Sequence, residues 1–206
     1  MLSYRFLPIL LLILLSACGN NARTTETTHI DTTPAPILSE YKVYYNVDSV
    51  IDNDDHPVMA INSNLTRYSY GGDSIAKLPR AVRVTYFAST YRFIMHFDGF
   101  ASYSDGQYAI LDWKETIDAL NAIGAIKSAN TLKRALSIWP GGIPPANLQQ
   151  RRAFLEKAGE KYDDLFIELD EAAERQEPEL DNLIIRFARA NKDSFYYFQS
   201  PYSPLL

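Results

Sequence analysis

The chain has one cysteine, three histidines and two tryptophans among its 206 residues. A lone thiol, Cys18, excludes an internal disulfide and excludes Cys₂His₂ and Cys₄ zinc sites. Positive charge is also short: 20 Lys and Arg against 25 Asp and Glu leave a formal net charge of −5. Nucleic-acid binding needs clustered cations to neutralise phosphates, so no nucleic-acid partner is expected. Catalytic motifs are missing as well. There is no His-Glu-x-x-His, no Gly-x-Ser-x-Gly and no Gly-x-x-x-x-Gly-Lys, which leaves metal, nucleophile-elbow and P-loop chemistry without their residues. What is present is an ordinary balance for a single folded domain, 47% hydrophobic and 22% charged, enough to fill a core.

The first apolar run, residues 6–15, follows Arg5 and carries Pro8. It is too short to span a bilayer core, which takes about 20 apolar residues, but it suits the central region of a signal peptide. The run ends in Leu15-Ser16-Ala17-Cys18, which resembles a bacterial lipobox, and the chain's one thiol stands where the lipobox requires it. The resemblance implies a signal peptide over 1–17. Cys18 is then the lipidated N-terminal residue, with a diacylglycerol on sulfur and a palmitate-type chain on the amine. One acyl chain binds membranes only marginally, and several together make a durable anchor. Gly19 rather than Asp after the cysteine implies sorting to the outer membrane, with the domain facing the periplasm. Residues 18–37 are rich in Thr, Asn and Pro. They cannot bury enough apolar surface to offset ordering, so a flexible tether spanning roughly 25 Å is expected before a folded domain at 38–206.

From residue 38 onward apolar residues recur at three and four, and the expected fold class is all-α. Helices are expected over 39–51 and 56–70, the second opened by Pro57. Gly71-Gly72 breaks the chain. Pro79 opens a longer helix to about His96, with Val82, Phe87, Tyr91 and Ile94 along one side. Asp112 and Glu115 resemble a capping box. The helix they start uses Ile117, Leu120 and Ile123 and halts at Gly124. Another follows with Ile126, Ala129, Leu132 and Leu136, and Pro178 is read as the start of the last helix.

Residues 156–181 hold eleven acidic side chains against Lys157, Lys161 and Arg175. At 100° per residue the apolar and acidic positions fall on opposite sides. The plain reading is the solvated face of an amphipathic helix. The sharper one is a docking surface for a basic partner, with Asp163, Asp164, Glu168 and Glu171 as its candidates.

Three short patterns invite chemistry. Ser74-Ile75-Ala76-Lys77 matches Ser-x-x-Lys, but neither Ser-Asp-Asn nor Lys-Thr-Gly follows. The loop opening at Asp52 has Pro57 where a calcium loop needs glycine and Ser63 where it needs glutamate. His96 stands near Asp98, the pairing a general base wants, with no nucleophile beside it. No metal and no cofactor is expected.

The stretch from Leu78-Pro79-Arg80-Ala81 through Phe97-Asp98-Gly99-Phe100-Ala101-Ser102-Tyr103, with ETIDALNAIGA from Glu115 and Ala129, Leu132, Ala135 and Leu136 beyond, resembles the helical domain of a bacterial DNA-mimic protein family over about 78–198. The family's turn reads Asn-Gly-Gly-Phe-x-Gln-Tyr-Phe; Gly99, Phe100 and Tyr103 carry over, and the first glycine and the glutamine do not. The resemblance implies an all-helical fold. It also implies an activity in which carboxylates spaced like phosphates meet a DNA-binding protein. An envelope address and a charge of only −5 run against that activity, so the fold is taken from the family and its named activity is not. The leading expectation is a non-enzymatic envelope lipoprotein binding a protein partner through the acidic helix and the aromatic turn Asp98, Gly99, Phe100 and Tyr103. A structural or assembly lipoprotein is the alternative, and an envelope enzyme using His96 and Asp98 comes third.

Overall fold

A computed structural model of the chain describes residues 41–69, 74–105 and 112–199; these lie within one compact unit, Leu38–Leu206. The expected signal peptide and tether, Cys18 and the Gly71-Gly72 break fall outside the described residues.

The domain is all-helical with one added ribbon. Strand β1 (Tyr41–Tyr44) leads to α1 (Val47–Asn53) and α2 (Pro57–Ser69). The one-turn helix α3 (Ser74–Lys77) precedes α4 (Arg80–Phe97), α5 (Gly99–Asp105), α6 (Trp113–Ala122) and α7 (Ile126–Leu136). Helices α8 (Leu148–Ala158) and α9 (Asp163–Ala190) complete the bundle before strand β2 (Tyr196–Gln199).

Local chemistry places the helix ends. Asp112 Oδ1 accepts from the Lys114 and Glu115 amides at 2.9 and 3.1 Å, the N-cap that opens α6. Helix α6 closes at Gly124, φ +85°. There the Ala125 amide donates to Leu120 O at 2.8 Å and the Gly124 amide to Asn121 O at 3.0 Å. This is a Schellman closure that needs a left-handed residue. Pro79 caps α4, one residue outside its start.

Two expectations are corrected. The helix expected over 39–51 is a strand and then a short helix. Tyr41–Tyr44 pair antiparallel with Tyr196–Gln199, the Tyr45 amide extends the ribbon to Phe195 O at 3.0 Å, and Asn46 caps α1 by accepting from the Ser49 amide. The β-branched and aromatic content of the segment suits a strand once a partner exists. The second correction is at Pro178, which lies inside α9 rather than at the start of a helix. Proline removes the amide that would bond to the Glu174 carbonyl. Both residues sit on the exposed side of α9, so water can take that carbonyl.

Helix α9 is the strut on which the others rest. Its buried stripe, Phe166, Leu169, Ala173, Leu180, Ile184 and Ala188, packs against α4 and α7 and also meets α1, α2 and α5. Val82, Phe87, Tyr91 and Ile94 of α4 are all buried, as are Leu120, Ile123, Ala129, Leu132 and Leu136. Ile126 is not: it is half exposed at the open end of α7. Burial of a large apolar side chain is worth about 1.5–3 kcal/mol, so these faces supply most of what holds the domain together.

Candidate functional site

The acidic segment is divided by the fold into a bonded set and an open set. On the bonded side, Arg134 makes a forked pair with Glu168 at 2.6 and 2.7 Å. The guanidinium beside Glu168 holds that carboxyl below its usual range, and Glu168 pushes Arg134 up in turn. Lys127 reaches Glu179 at 2.8 Å, and Arg175 lies 3.5 Å from Glu171 one turn away. Arg92, buried on α4, donates from Nε and Nη2 to the two Asp181 oxygens at 2.8 and 3.2 Å and meets Glu177 at 2.9 Å. Removal of one partner from such a buried set leaves an uncompensated charge, so it crosslinks α4 to α9. Between the ion pairs, Ser128 Oγ donates to Gln176 Oε1 at 3.0 Å, and Gln176 Nε2 donates to Thr131 Oγ1 at 3.1 Å.

The open set is Glu156, Glu160, Asp163, Asp164 and Glu174. All five are exposed, and they take no partner among the described residues. Asp163 and Asp164 occupy the first turn of α9, where carboxylates complement the positive end of the helix dipole. Ile167 stands among them, 59% exposed. Spacings of four place Asp163, Ile167 and Glu171 on one stripe. Ile167 was not among the candidates read from the sequence; an isoleucine on an otherwise acidic stripe was the available signal.

The aromatic turn is corrected. Phe100 and Tyr103 are 0% and 1% exposed, and Gly99 is buried with them, so the three form the interior of the fold and cannot touch a partner directly. Gly99 has φ +68°, and a Cβ there would stand 2.7 Å from Asp170 Oδ2. That close approach lets the Phe100 amide donate to Asp170 Oδ1 at 2.7 Å. Partial burial raises the Asp170 carboxyl, and the Phe100 hydrogen bond opposes the rise. Tyr91, Phe100 and Tyr103 pack ring to ring with centroids 6.3–6.4 Å apart, and Trp113 sets its ring edge-on to Tyr103 at 4.4 Å. Burial pushes both tyrosine hydroxyls far above their ordinary range. Asp98 ends α4, its amide donating to Ile94 O at 2.8 Å.

His96 meets Glu177, with Nδ1 3.3 Å from each oxygen. The same carboxylate is held by Arg92, so the imidazole belongs to the α4–α9 crosslink. Beside it, residues 55–59 at the start of α2, the end of α4 and the Asp181 and Ile185 side of α9 enclose an open cleft of about 510 Å³. Both His56 and His96 line it. Among the described residues no group of three or more His, Cys, Asp or Glu is placed to hold a metal ion, and no helix is long and apolar enough to cross a membrane.

These features define an all-helical domain built around a buried Gly-Phe turn and an acid-lined strut. The chain belongs to the family of DMP19-like proteins, whose family model matches residues 76–191, more than half of the sequence. The matched region runs from α3 to the end of α9, so the turn, the Arg92 crosslink and the acid set all lie within it. Neither the curated proteins nor the solved structures provide a match.

Proposed function

We propose that this protein is an envelope lipoprotein, anchored through acylated Cys18 in the bacterial outer membrane and facing the periplasm. Its DMP19-like domain acts as a non-enzymatic module that binds a basic protein partner. The observation that carries the reading is the exposed Ile167 bordered by Asp163, Asp164, Glu171 and Glu174 on α9, an apolar point within an acidic rim. An exposed apolar side chain supplies area to desolvate, and surrounding carboxylates steer a cationic partner and fix its register. The acids that face the body of the domain are spent on Arg92, Lys127 and Arg134. The free carboxylates are therefore confined to the outward side, which is the arrangement a docking surface needs. His96 and Asp98 support no enzyme in this reading, because the imidazole sits on a carboxylate already engaged by Arg92.

Two experiments test the two halves. Cys18→Ser should leave the protein unacylated and shift it out of the membrane fraction; mature acylated Cys18→Ser protein would refute the anchor. Glu160, Asp163, Asp164 and Glu174 changed together to Lys, and separately Ile167→Lys, should abolish capture of the partner from native envelopes while helical circular dichroism stays intact. Undiminished capture by both variants would refute the surface.

A further inference from the structure

Ile167 and Ile185 stand eighteen residues apart on α9. That is five full turns, so the two share one face of the helix, about 27 Å apart along its axis. Both ends of the face offer apolar surface. Ile167 is 59% exposed at one end. At the other, Ile185 joins Met59 and Phe97 in the wall of the cleft of about 510 Å³, and Phe97 is 61% exposed. Ring contacts with Phe93 at 4.9 Å and His96 at 4.6 Å hold Phe97 in place. Between the two ends, Glu171, Glu174, Pro178 and Asp181 follow one another at steps of three and four, with Glu177 alongside. The cleft adds Asp55, which is exposed and has no partner among the described residues. The cations set against these carboxylates are Arg92 and Arg175, so an excess of negative charge runs from one apolar end to the other.

We propose that the basic partner lays an amphipathic helix of about five turns along this face, with an apolar side chain against Ile167 and an arginine or lysine side chain in the cleft. The proposal rests on α9 being the docking face and adds to it a second anchor at a fixed distance from the first. A helix laid beside α9 repeats with the same pitch, so cations at spacings of three and four meet carboxylates spaced likewise. An extended chain, advancing about 3.3 Å per residue, falls out of step with them. In the cleft, the aliphatic stem of the partner's cation lies on Met59, Phe97 and Ile185 while its head reaches out to Asp55, as long cationic side chains do at apolar surfaces. The exposed Phe97 ring adds a face on which a guanidinium stacks. Two apolar anchors with carboxylates between them fix both the register and the direction of the bound helix.

The test uses the full-length chain in non-ionic detergent, with detergent alone as the blank, and alanine-based helical peptides of about 22 residues, long enough to span the face. The first carries a leucine and an arginine five turns apart with lysines between them. The second has the same composition with the arginine moved by two residues, which turns it to the opposite side of the helix. The third has glutamate in place of every cation. Calorimetry should find the first peptide bound about fivefold or more tightly than the second, and the third not bound. Asp55→Lys alone, and Asp55→Lys with Phe97→Ala, should each weaken the first peptide, the pair by about fivefold or more, and leave the second unchanged, with helical circular dichroism intact. Wild-type affinity in both cleft variants, together with a loss in Ile167→Lys, would refute the second anchor and leave the docking face standing. Wild-type affinity in all three variants would refute the docking face as well. Equal binding of the first two peptides, or no binding of the first, would also overturn the proposal.

Discussion

The Phe100 amide donates to Asp170 Oδ1 at 2.7 Å, so the turn after α4 is tied to the middle of α9 by one carboxylate. Gly99 makes the bond possible twice over: it takes φ +68°, and it has no Cβ to meet Asp170.

Gly99→Ala should therefore be costly for a substitution of one methyl group. A left-handed alanine costs about 1 kcal/mol, and displacement of the capping carboxylate adds about 1–2 kcal/mol. Urea denaturation should show a loss of about 2–3 kcal/mol; an unchanged midpoint would mean that the turn relaxes freely.

Asp170 should respond to pH in a definite direction. Its carboxyl is raised above the unfolded value, chiefly by burial. The stability it contributes is then full below the unfolded pKa and lost as pH rises through the folded one. Asp170→Asn keeps an acceptor for the Phe100 amide and removes the buried charge. Relative to wild type it should gain between about pH 3.5 and pH 7, whereas Asp170→Ala should lose about 1–2 kcal/mol at both. Urea midpoints at the two pH values measure this, and an Asn variant that falls behind with rising pH would contradict it.

Pro178 tests the continuity of α9. In a helix interior proline costs about 3 kcal/mol relative to alanine, offset by about 0.4–1 kcal/mol from a stiffer unfolded chain. Pro178→Ala restores an amide for the Glu174 carbonyl and should stabilise the domain by about 2–2.6 kcal/mol. At a helix start the same change would be close to neutral, and a null result in thermal melts would argue for a break at this residue.

Arg92 holds Glu177 and Asp181 from the buried side of α4. Arg92→Ala should cost about 3–5 kcal/mol by leaving both carboxylates without their cation. Adding Glu177→Gln and Asp181→Asn to the alanine variant should recover a large share of that loss. Equal destabilisation of the single and triple variants would show that packing, not charge, dominates the site.

Much of the helical framework was legible because helix ends are written locally. Asp112, Gly124 and Pro79 mark boundaries through their own backbone chemistry, and the buried faces of α6 and α7 follow from a period of 3.6; α4 is buried on nearly every side, residues 84–89 without a gap, which no single stripe predicts. The ribbon was not legible: Tyr41 acquires its strand partner, Gln199, only through the fold. Pro178 misled because a proline's cost depends on which carbonyl it orphans, and the Glu174 carbonyl lies on the solvent side. The acidic segment showed its charges but not their division, since Arg92, Lys127 and Arg134 come from other helices. The aromatic turn pointed to packing as readily as to contact, and the burial of Phe100 and Tyr103 decides for packing.

The most direct test of the interaction surface is capture from native envelopes by the intact protein, compared at low and high salt with the variant carrying Lys at positions 160, 163, 164 and 174. A single partner held at low salt, released at high salt and never captured by the variant is the predicted result, because exposed charges steer only while unscreened. The same partner captured equally by both proteins at either salt concentration would contradict the account.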